Sequence, residues 1–156
     1  MSRDYGKKFE TIFKADFERI ENATIDRLYD PGFGMRGIKN ICDFIGYKYP
    51  FIVYAECKSK KGNTFPLQNL SQYNKLIAKK NVKGAKVGVV LWFIDHDIVL
   101  WIPITTFEKL FADNKKSFNV KMVQEKEYPC IIIPTIKSRT FLHGDYSVIL
   151  KEKENE

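Results

Sequence analysis

The stretch NICDFIGYKYPFIVYAECK, residues 40–58, contains two apolar runs that are typical of neighbouring β-strands. We expect strands over Asn40–Tyr47 and Pro50–Lys58, joined by a tight turn near Lys48 and Tyr49. A connection this short pairs two strands antiparallel, because parallel strands need a long crossover. The sequence therefore predicts a β-hairpin, and the rest of the fold is placed around it.

Three charged side chains stand at one end of this predicted hairpin. Side chains alternate between the two faces of a strand, so Glu56 and Lys58 share one face and Cys57 lies on the other. With a tight turn between the strands, Asp43 comes beside the Glu56 region. A carboxylate inside an apolar run is unfavourable unless it is paired or binds a metal ion. Asp43 therefore indicates a site at this end of the hairpin.

These residue types suit the hydrolysis of a phosphodiester bond. Asp43 and Glu56 would bind Mg²⁺ through the oxygen ligands that it prefers, with the backbone carbonyl of Cys57 as a further ligand. The ion would polarise a phosphoryl oxygen and lower the pKa of water, and Lys58 would orient or deprotonate that water. The alternative is a cross-strand ion pair on a surface. Asp43 and the basic loop after Lys58 favour the metal site.

Outward from the hairpin, apolar spacing predicts further helices and strands. The expected elements are a helix over residues 6–22, a strand over Thr24–Tyr29, a flexible connection over 30–37, a polar loop over Ser59–Thr64, a helix capped by Asn69 or Ser71 and reaching Val82, a hairpin of Ala85–Ile94 and Ile98–Ile104, a short helix capped by Thr105, and strands over Cys130–Ile136 and Tyr146–Leu150. This order predicts an α/β fold with a mixed β-sheet flanked by helices. The 156 residues suit a single domain over 1–150 with a frayed tail over 151–156.

The composition suits a polyanionic partner about as well as it suits a merely soluble basic protein. Lys and Arg number 26 against 19 Asp and Glu, which gives a net charge of +7. Neutralising phosphates strengthens the binding of such a protein to nucleic acid. No stretch predicts a signal peptide or a membrane helix. Three cysteines in apolar runs, Cys42, Cys57 and Cys130, fit a reducing cytoplasm and small buried residues rather than metal ligands.

The spacing Asp43…Glu56-x-Lys58 resembles the active-site motif of the PD-(D/E)xK nuclease superfamily. Residues 64–70, TFPLQNL, resemble the segment after that motif in RecU-type Holliday-junction resolvases. Gly6-Lys-Lys-Phe-Glu10 is similar to the start of the first helix in those and in archaeal resolvases. The resemblance covers residues 6 to 104.

The resemblance implies a restriction-endonuclease-like αβββαβ core that depends on Mg²⁺, with Mn²⁺ as a substitute. It also implies a homodimer that nicks four-way DNA junctions symmetrically during recombination and repair, in a bacterial or phage-infected cytoplasm. By motif position, Asp43, Glu56 and Lys58 take the metal and catalytic roles. Glu10 matches the first-helix acid that assists the metal ion or the water.

Three positions depart from the RecU pattern. Cys42 stands where the motif name has Pro. The helix-two Gln of RecU proteins falls on Asn74 by counting from Phe-Pro-Leu, with Gln72 nearby, so either amide is a candidate for the catalytic role. Only a short segment around Asp30–Asn40 fills the place of the projecting RecU stalk. The chain is therefore expected to grip a junction as the smaller archaeal or phage-encoded resolvases do.

Cations cluster in sequence around the expected site, where phosphate contacts would position DNA without reading its bases. The expected DNA-binding residues are Lys7, Lys8, Arg36, Lys39, Lys60, Lys61 and Lys75. DNA binding is favoured over a solvated loop for Lys60 and Lys61, which closely follow Lys58. For Lys7 and Lys8 the two interpretations are equal. The Gly-rich segment that carries Arg36 is expected to enter the centre of a junction.

Two rival functions stay open beside junction resolution. One is another nuclease of the same superfamily, restriction-like or acting in repair, that prefers linear duplex, flaps or ends. The other is a non-catalytic DNA-binding module. No nucleotide cofactor is expected, because GFGMRG at 32–37 matches the dinucleotide pattern but precedes an expected strand instead of a helix. Asp95-His96-Asp97 is expected to form a polar hairpin tip, and Trp92 and Trp101 to lie in the core.

Overall fold

The computed structural model describes residues 4–29 and 40–152 of the chain. The helices in these ranges are α1 (Tyr5–Glu18), α2 (Tyr73–Ile77), α3 (Ile104–Ala112) and α4 (Val120–Glu125). The strands are β1 (Thr24–Arg27), β2 (Phe44–Lys48), β3 (Phe51–Lys60), β4 (Thr64–Pro66), β5 (Ala85–Phe93), β6 (Ile98–Pro103), β7 (Ser117–Asn119), β8 (Ile131–Ile132), β9 (Thr135–Ser138) and β10 (Phe141–Gly144). Short 3₁₀ helices lie at Leu67–Asn69, Ile94–His96 and Tyr146–Ile149.

The main sheet contains six strands in the order β1-β2-β3-β5-β6-β8. Strands β3 and β5 run parallel, and the other neighbouring pairs of this sheet are antiparallel. The segment that carries α2 supplies the crossover that a parallel pair needs. Strand β4 pairs with β7, and β9 with β10, outside this sheet. The predicted α/β fold with a mixed, helix-flanked sheet is confirmed.

The β2–β3 hairpin pairs as the sequence predicts, with Phe44 opposite Ala55 and Lys48 opposite Phe51. Strand β2 begins at Phe44, however, rather than at Asn40. The reason lies at Asp43, whose side chain accepts the hydrogen bond of the next backbone N–H along β3. The backbone ladder therefore stops where the charged end of the hairpin begins.

Apolar side chains fill both faces of the main sheet. Helix α1 covers one face through a stripe of buried aromatic rings, Phe9, Phe13 and Phe17. Helices α2, α3 and α4 cover the other face. Cys57 packs in the core on the α1 side, so alternation along β3 turns Glu56 to the opposite face. The predicted burial of both tryptophans is confirmed, Trp92 being 1% and Trp101 3% exposed.

The second helix is much shorter than predicted. Helix α2 begins after Gln72, so neither Asn69 nor Ser71 caps it, and it ends at Ile77 rather than near Val82. Val82 is exposed, so a helix extended to this residue would have no apolar face to bury there. Packing of an apolar face supplies most of the stability of a helix in a protein, so the helix stops.

Two predicted strands near the C-terminus are also wrong in part. The run Cys130–Ile136 is split into β8 and β9, because Pro134 has no backbone N–H to continue a ladder. The run Tyr146–Leu150 contains no strand and instead forms a 3₁₀ helix over Tyr146–Ile149. Asp145 accepts a hydrogen bond from the backbone N–H of Ser147 and turns the chain into that helix.

The cap predicted for the third helix is wrong as well. Helix α3 begins at Ile104, directly after Pro103, without a side-chain cap, and Thr105 is an exposed residue of its first turn. Strands β4, β7 and β10 and helix α4 were not predicted.

Some expectations fall on residues outside the described ranges. These are the flexible connection over 30–37 with its GFGMRG match, and residues 153–156 of the expected tail. Asp95-His96-Asp97 lies at the tip between β5 and β6, as predicted. Within residues 4–29 and 40–152, no helix is long and apolar enough to cross a membrane.

Candidate active site

The charged end of the β2–β3 hairpin brings Asp43 and Glu56 together. Phe44 pairs with Ala55, so one further step in the same register sets Asp43 opposite Glu56. Asp43 Oδ2 accepts a hydrogen bond from the backbone N–H of Cys57 at 2.9 Å. The predicted position of Asp43 beside the Glu56 region is confirmed.

Glu56 is a buried acid, with 3% of its surface exposed. Its Oε2 is buried and has no hydrogen-bond partner among the described residues. Burial raises the pKa of Glu56 to about 9, and the neighbouring Asp43 carboxyl contributes to this rise. The Lys58 ammonium lowers the pKa of Glu56, but it offsets the rise only in part. Without a cation at the site, Glu56 therefore retains its proton at neutral pH.

Lys58 lies on the same face of β3 as Glu56, at the rim of the site. Its Nζ is 3.9 Å from Glu56 Oε1, and 25% of its side chain is exposed. That distance is too long for a direct hydrogen bond, and Glu56 is buried. A simple surface ion pair therefore does not describe these two residues.

Helix α1 adds a third acid at the margin of the site. Burial of Phe9 and Phe13 fixes the helix against the sheet, and Glu10 forms an ion pair with Arg27 at the end of β1. Burial raises the pKa of Glu10 and the Asp43 charge raises it further, while Arg27 lowers it. Glu10 is therefore electrostatically linked to Asp43 but held by Arg27, a residue that sequence reasoning missed.

The donor atoms at this site suit a hard divalent cation. Within the described ranges, no three His, Cys, Asp or Glu side chains converge as a ready metal cage. Mg²⁺ needs no such cage, because it binds through one or two carboxylates and keeps several waters. Asp43 and the unpartnered Oε2 of Glu56 fit that requirement. The carbonyl of a strand residue points to the same side as its N–H, so the Cys57 carbonyl is expected to face Asp43.

The two neighbouring thiols are poor ligands for the same ion. Burial raises the pKa of the Cys57 thiol, and it raises the pKa of Cys42 to about 12. A thiol binds a metal ion only after it loses its proton. Cys42 Sγ instead donates a hydrogen bond to the carbonyl of Phe44 at 3.2 Å. The predicted burial of Cys42 and Cys57 is confirmed, and Cys130 is half-buried.

The two amides considered for the second helix lie around the start of α2. Gln72 is the residue before the helix, and its Oε1 accepts a hydrogen bond from Ser71 Oγ at 3.1 Å. Asn74 is exposed in the first turn. In the described part of the chain, neither amide is hydrogen-bonded to Asp43 or Glu56, so a catalytic role for either stays a prediction.

The cations expected to bind DNA occupy different positions. Lys7 and Lys8 are exposed on α1, Lys60 ends β3, Lys61 follows it, and Lys75 is exposed on α2. Lys8 Nζ lies 5.5 Å from the centre of the Phe141 ring, and Lys61 Nζ lies 5.2 Å from that of Tyr5. Arg36 and Lys39 lie outside the described residues. The α1 lysines and those that follow β3 thus flank the same end of the molecule.

A solved structure has a similar fold. It is Hjc, a Holliday junction resolvase from the archaeal hyperthermophile Archaeoglobus fulgidus, with a TM-score of 0.57 and 16% sequence identity. The match covers 77% of this chain and 93% of that one. No protein-family model matches the sequence. No curated protein matches it either.

Proposed function

We propose that this chain is a metal-dependent DNA endonuclease that resolves four-way junctions. The observation that carries the proposal is the Asp43–Glu56 pair where the β2–β3 pairing ends, with a buried, unpartnered Glu56 Oε2 and Lys58 alongside. Clustered acids with raised pKa values are typical of functional sites. The fold shared with an archaeal junction resolvase and the net charge of +7 support a DNA substrate.

The residues that would hold Mg²⁺, or Mn²⁺ in its place, are Asp43, Glu56 and the backbone carbonyl of Cys57, with Glu10 at the margin. A cation bound there supplies Lewis acidity, which offsets negative charge on the phosphate and makes water a stronger acid. The proton retained by Glu56 would leave when the cation binds, because its carboxylate then gains a favourable partner.

The protein residues would position water and phosphate for hydrolysis of one P–O bond. The water oxygen bonds to phosphorus, the sugar oxygen leaves with the electron pair of the broken bond, and a proton lost by the water is balanced by one gained on the leaving oxygen. Lys58 Nζ would donate hydrogen bonds to the phosphate or orient the water. The Cys57 N–H keeps Asp43 in place for this step.

We also propose that the active form is a homodimer. A two-fold axis would place two identical sites on opposed strands of a junction, so that one enzyme makes paired, symmetric nicks. Light scattering should then give a mass of about twice the 18.2 kDa of the chain.

The decisive comparison for the proposed substrate is between a labelled four-way junction and a linear duplex of the same arm sequence, each with Mg²⁺ and with EDTA. We expect Mg²⁺-dependent nicks at symmetric positions of the junction and little cleavage of the duplex. Preferred cleavage of duplex or flap DNA would instead indicate another nuclease of the same superfamily. DNA binding without any Mg²⁺-stimulated nicking would indicate a non-catalytic binding module.

A further inference from the structure

The β9–β10 hairpin lies beside the N-terminal half of α1. Phe141, the first residue of β10, packs its ring 6.0 Å from Tyr5 and 5.5 Å from Trp92, centre to centre. Ser138 pairs with Phe141 across the hairpin, so Arg139 and Thr140 form a two-residue turn. This packing fixes the turn next to the exposed lysines of α1.

A groove of about 500 Å³ runs between the turn and the helix. Its polar lining includes Lys7, Lys8, Ser138, Arg139 and Thr140. Ammonium, guanidinium and hydroxyl groups are the donors that proteins use to contact phosphate oxygens. The acid in the lining, Asp4, lies 4.0 Å from Lys7 as an exposed pair, and such pairs hold their partners weakly.

Arg139 differs from the neighbouring hairpin cation in its partners. Lys137 Nζ is bound to Asp97 at 2.9 Å, whereas Arg139 forms no salt bridge within the described ranges. Arg139 also has a φ of 58°, a left-handed conformation that is unfavourable for any residue with a Cβ. Gly and Asn are the residues usually found at such turn positions. Arg139 is therefore a cation of the turn whose charge no acid in the described ranges neutralises.

A further cation, Lys61, lies close to the aromatic residues beside the groove. Lys8 stands over the Phe141 ring and Lys61 over the Tyr5 ring, and these two rings are neighbours. Lys61 directly follows β3, the strand that carries Glu56 and Lys58. The strand of the candidate site therefore ends beside the aromatic pair that borders the groove.

We propose that the β9–β10 turn, with Arg139 at its tip, forms together with Lys7 and Lys8 a groove that binds the phosphate backbone of DNA outside the cleavage site. The inference rests on the proposed function, because it takes DNA as the substrate. It adds a contact from a hairpin that carries none of the proposed catalytic residues. Binding there positions the DNA and is independent of base sequence.

The test is the affinity of Arg139→Asn for a labelled four-way junction and for a linear duplex, measured by fluorescence anisotropy in EDTA. Asn tolerates the left-handed conformation, so the fold is retained. We expect Kd to rise roughly threefold to tenfold, and the slope of log K against log salt to fall in magnitude by about 1, for the loss of one phosphate contact.

Lys126→Asn is the matched control. Lys126 is an exposed cation with a φ of 55° that ends α4, on the opposite face of the main sheet from α1. This variant removes one charge at the same backbone conformation, and we expect it to change Kd by less than the Arg139 variant and to leave the salt slope at the wild-type value.

Equal Kd values and equal salt slopes for the two variants would contradict the proposal that this groove binds DNA. The proposed function fails in a different way, when wild-type protein binds DNA in EDTA but does not cut it in Mg²⁺. In that case a weaker-binding Arg139 variant still supports the groove.

Discussion

At the scale of single residues, the site depends on the protonation of Glu56. The pKa of this group is raised by burial and by Asp43, so the folded protein keeps a proton that the unfolded chain loses near pH 4.5. As pH increases, the unfolded chain therefore loses the Glu56 proton at a lower pH than the folded protein does. Without divalent cations, the free energy of unfolding should fall as pH rises from the unfolded pKa toward about 9.

Glu56→Gln should remove this loss of stability, because Gln cannot ionise. In EDTA, we expect the variant to be more stable than the wild type near pH 8 and close to it near pH 5. Urea unfolding at both pH values measures the difference. Glu18→Gln, on the exposed side of α1, controls for the removal of one acid. A variant at Glu56 that loses stability with pH as steeply as the wild type would contradict the assigned protonation.

The residues of the candidate site differ in how far sequence could place them. Glu56 and Lys58 follow from alternation on one strand, and Asp43 follows from one hairpin. Arg27 could not be found in this way. Its ion pair with Glu10 depends on how α1 docks on the sheet, and neither strand periodicity nor helix periodicity carries that information.

At the scale of elements, the buried carboxylate of Asp16 ties α1 to β10. It is 3% exposed, accepts a hydrogen bond from the Gly144 backbone N–H at 2.9 Å, and lies 3.2 Å from His143 Nδ1. Sequence patterns could not predict the contact with His143, because Asp16 is more than a hundred residues away along the chain. These contacts also hold the β9–β10 hairpin, which forms one side of the proposed DNA groove, against α1.

Asp16→Ala should destabilise the fold by roughly 2–3 kcal/mol, because it removes hydrogen bonds to a charged group and leaves their partners unsatisfied. Asp26→Ala, at an exposed position of β1, should stay within about 0.5 kcal/mol of the wild type. Denaturant unfolding of the two variants gives the comparison. Equal losses for both would mean that Asp16 does not join the two elements.

The elements themselves were predictable to the extent that their own sequence carries an apolar pattern. Helix α1 and the hairpins β2–β3 and β5–β6 have long, regular patterns and were found. Helix α2 is one turn long because Val82 is exposed, and the pair β4–β7 joins segments about fifty residues apart in the chain. Such elements exist through tertiary contacts, which short windows of sequence do not contain.

At the scale of the whole molecule, the fold places two acids and a lysine at the charged end of a hairpin within a mixed sheet. The crossover that makes β3 and β5 parallel lets β3 lie inside the sheet, so the strand is buried over Ala55–Cys57 and becomes partly exposed from Lys58 onward. A buried strand that ends in charged groups gives the proposed chemistry a rigid support.

The most direct test of the central claim is Mg²⁺-dependent cleavage of a four-way junction by Asp43→Asn and Glu56→Gln, with junction binding measured in EDTA. Glu108→Gln, on α3 and paired with Lys80, is the matched control. We expect both site variants to bind the junction but to cleave it at least about a thousandfold more slowly, since metal binding contributes several kcal/mol to the transition state. The control should cleave like the wild type. Cleavage at a near wild-type rate by either site variant would contradict the assignment of Asp43 and Glu56 as the metal-binding pair.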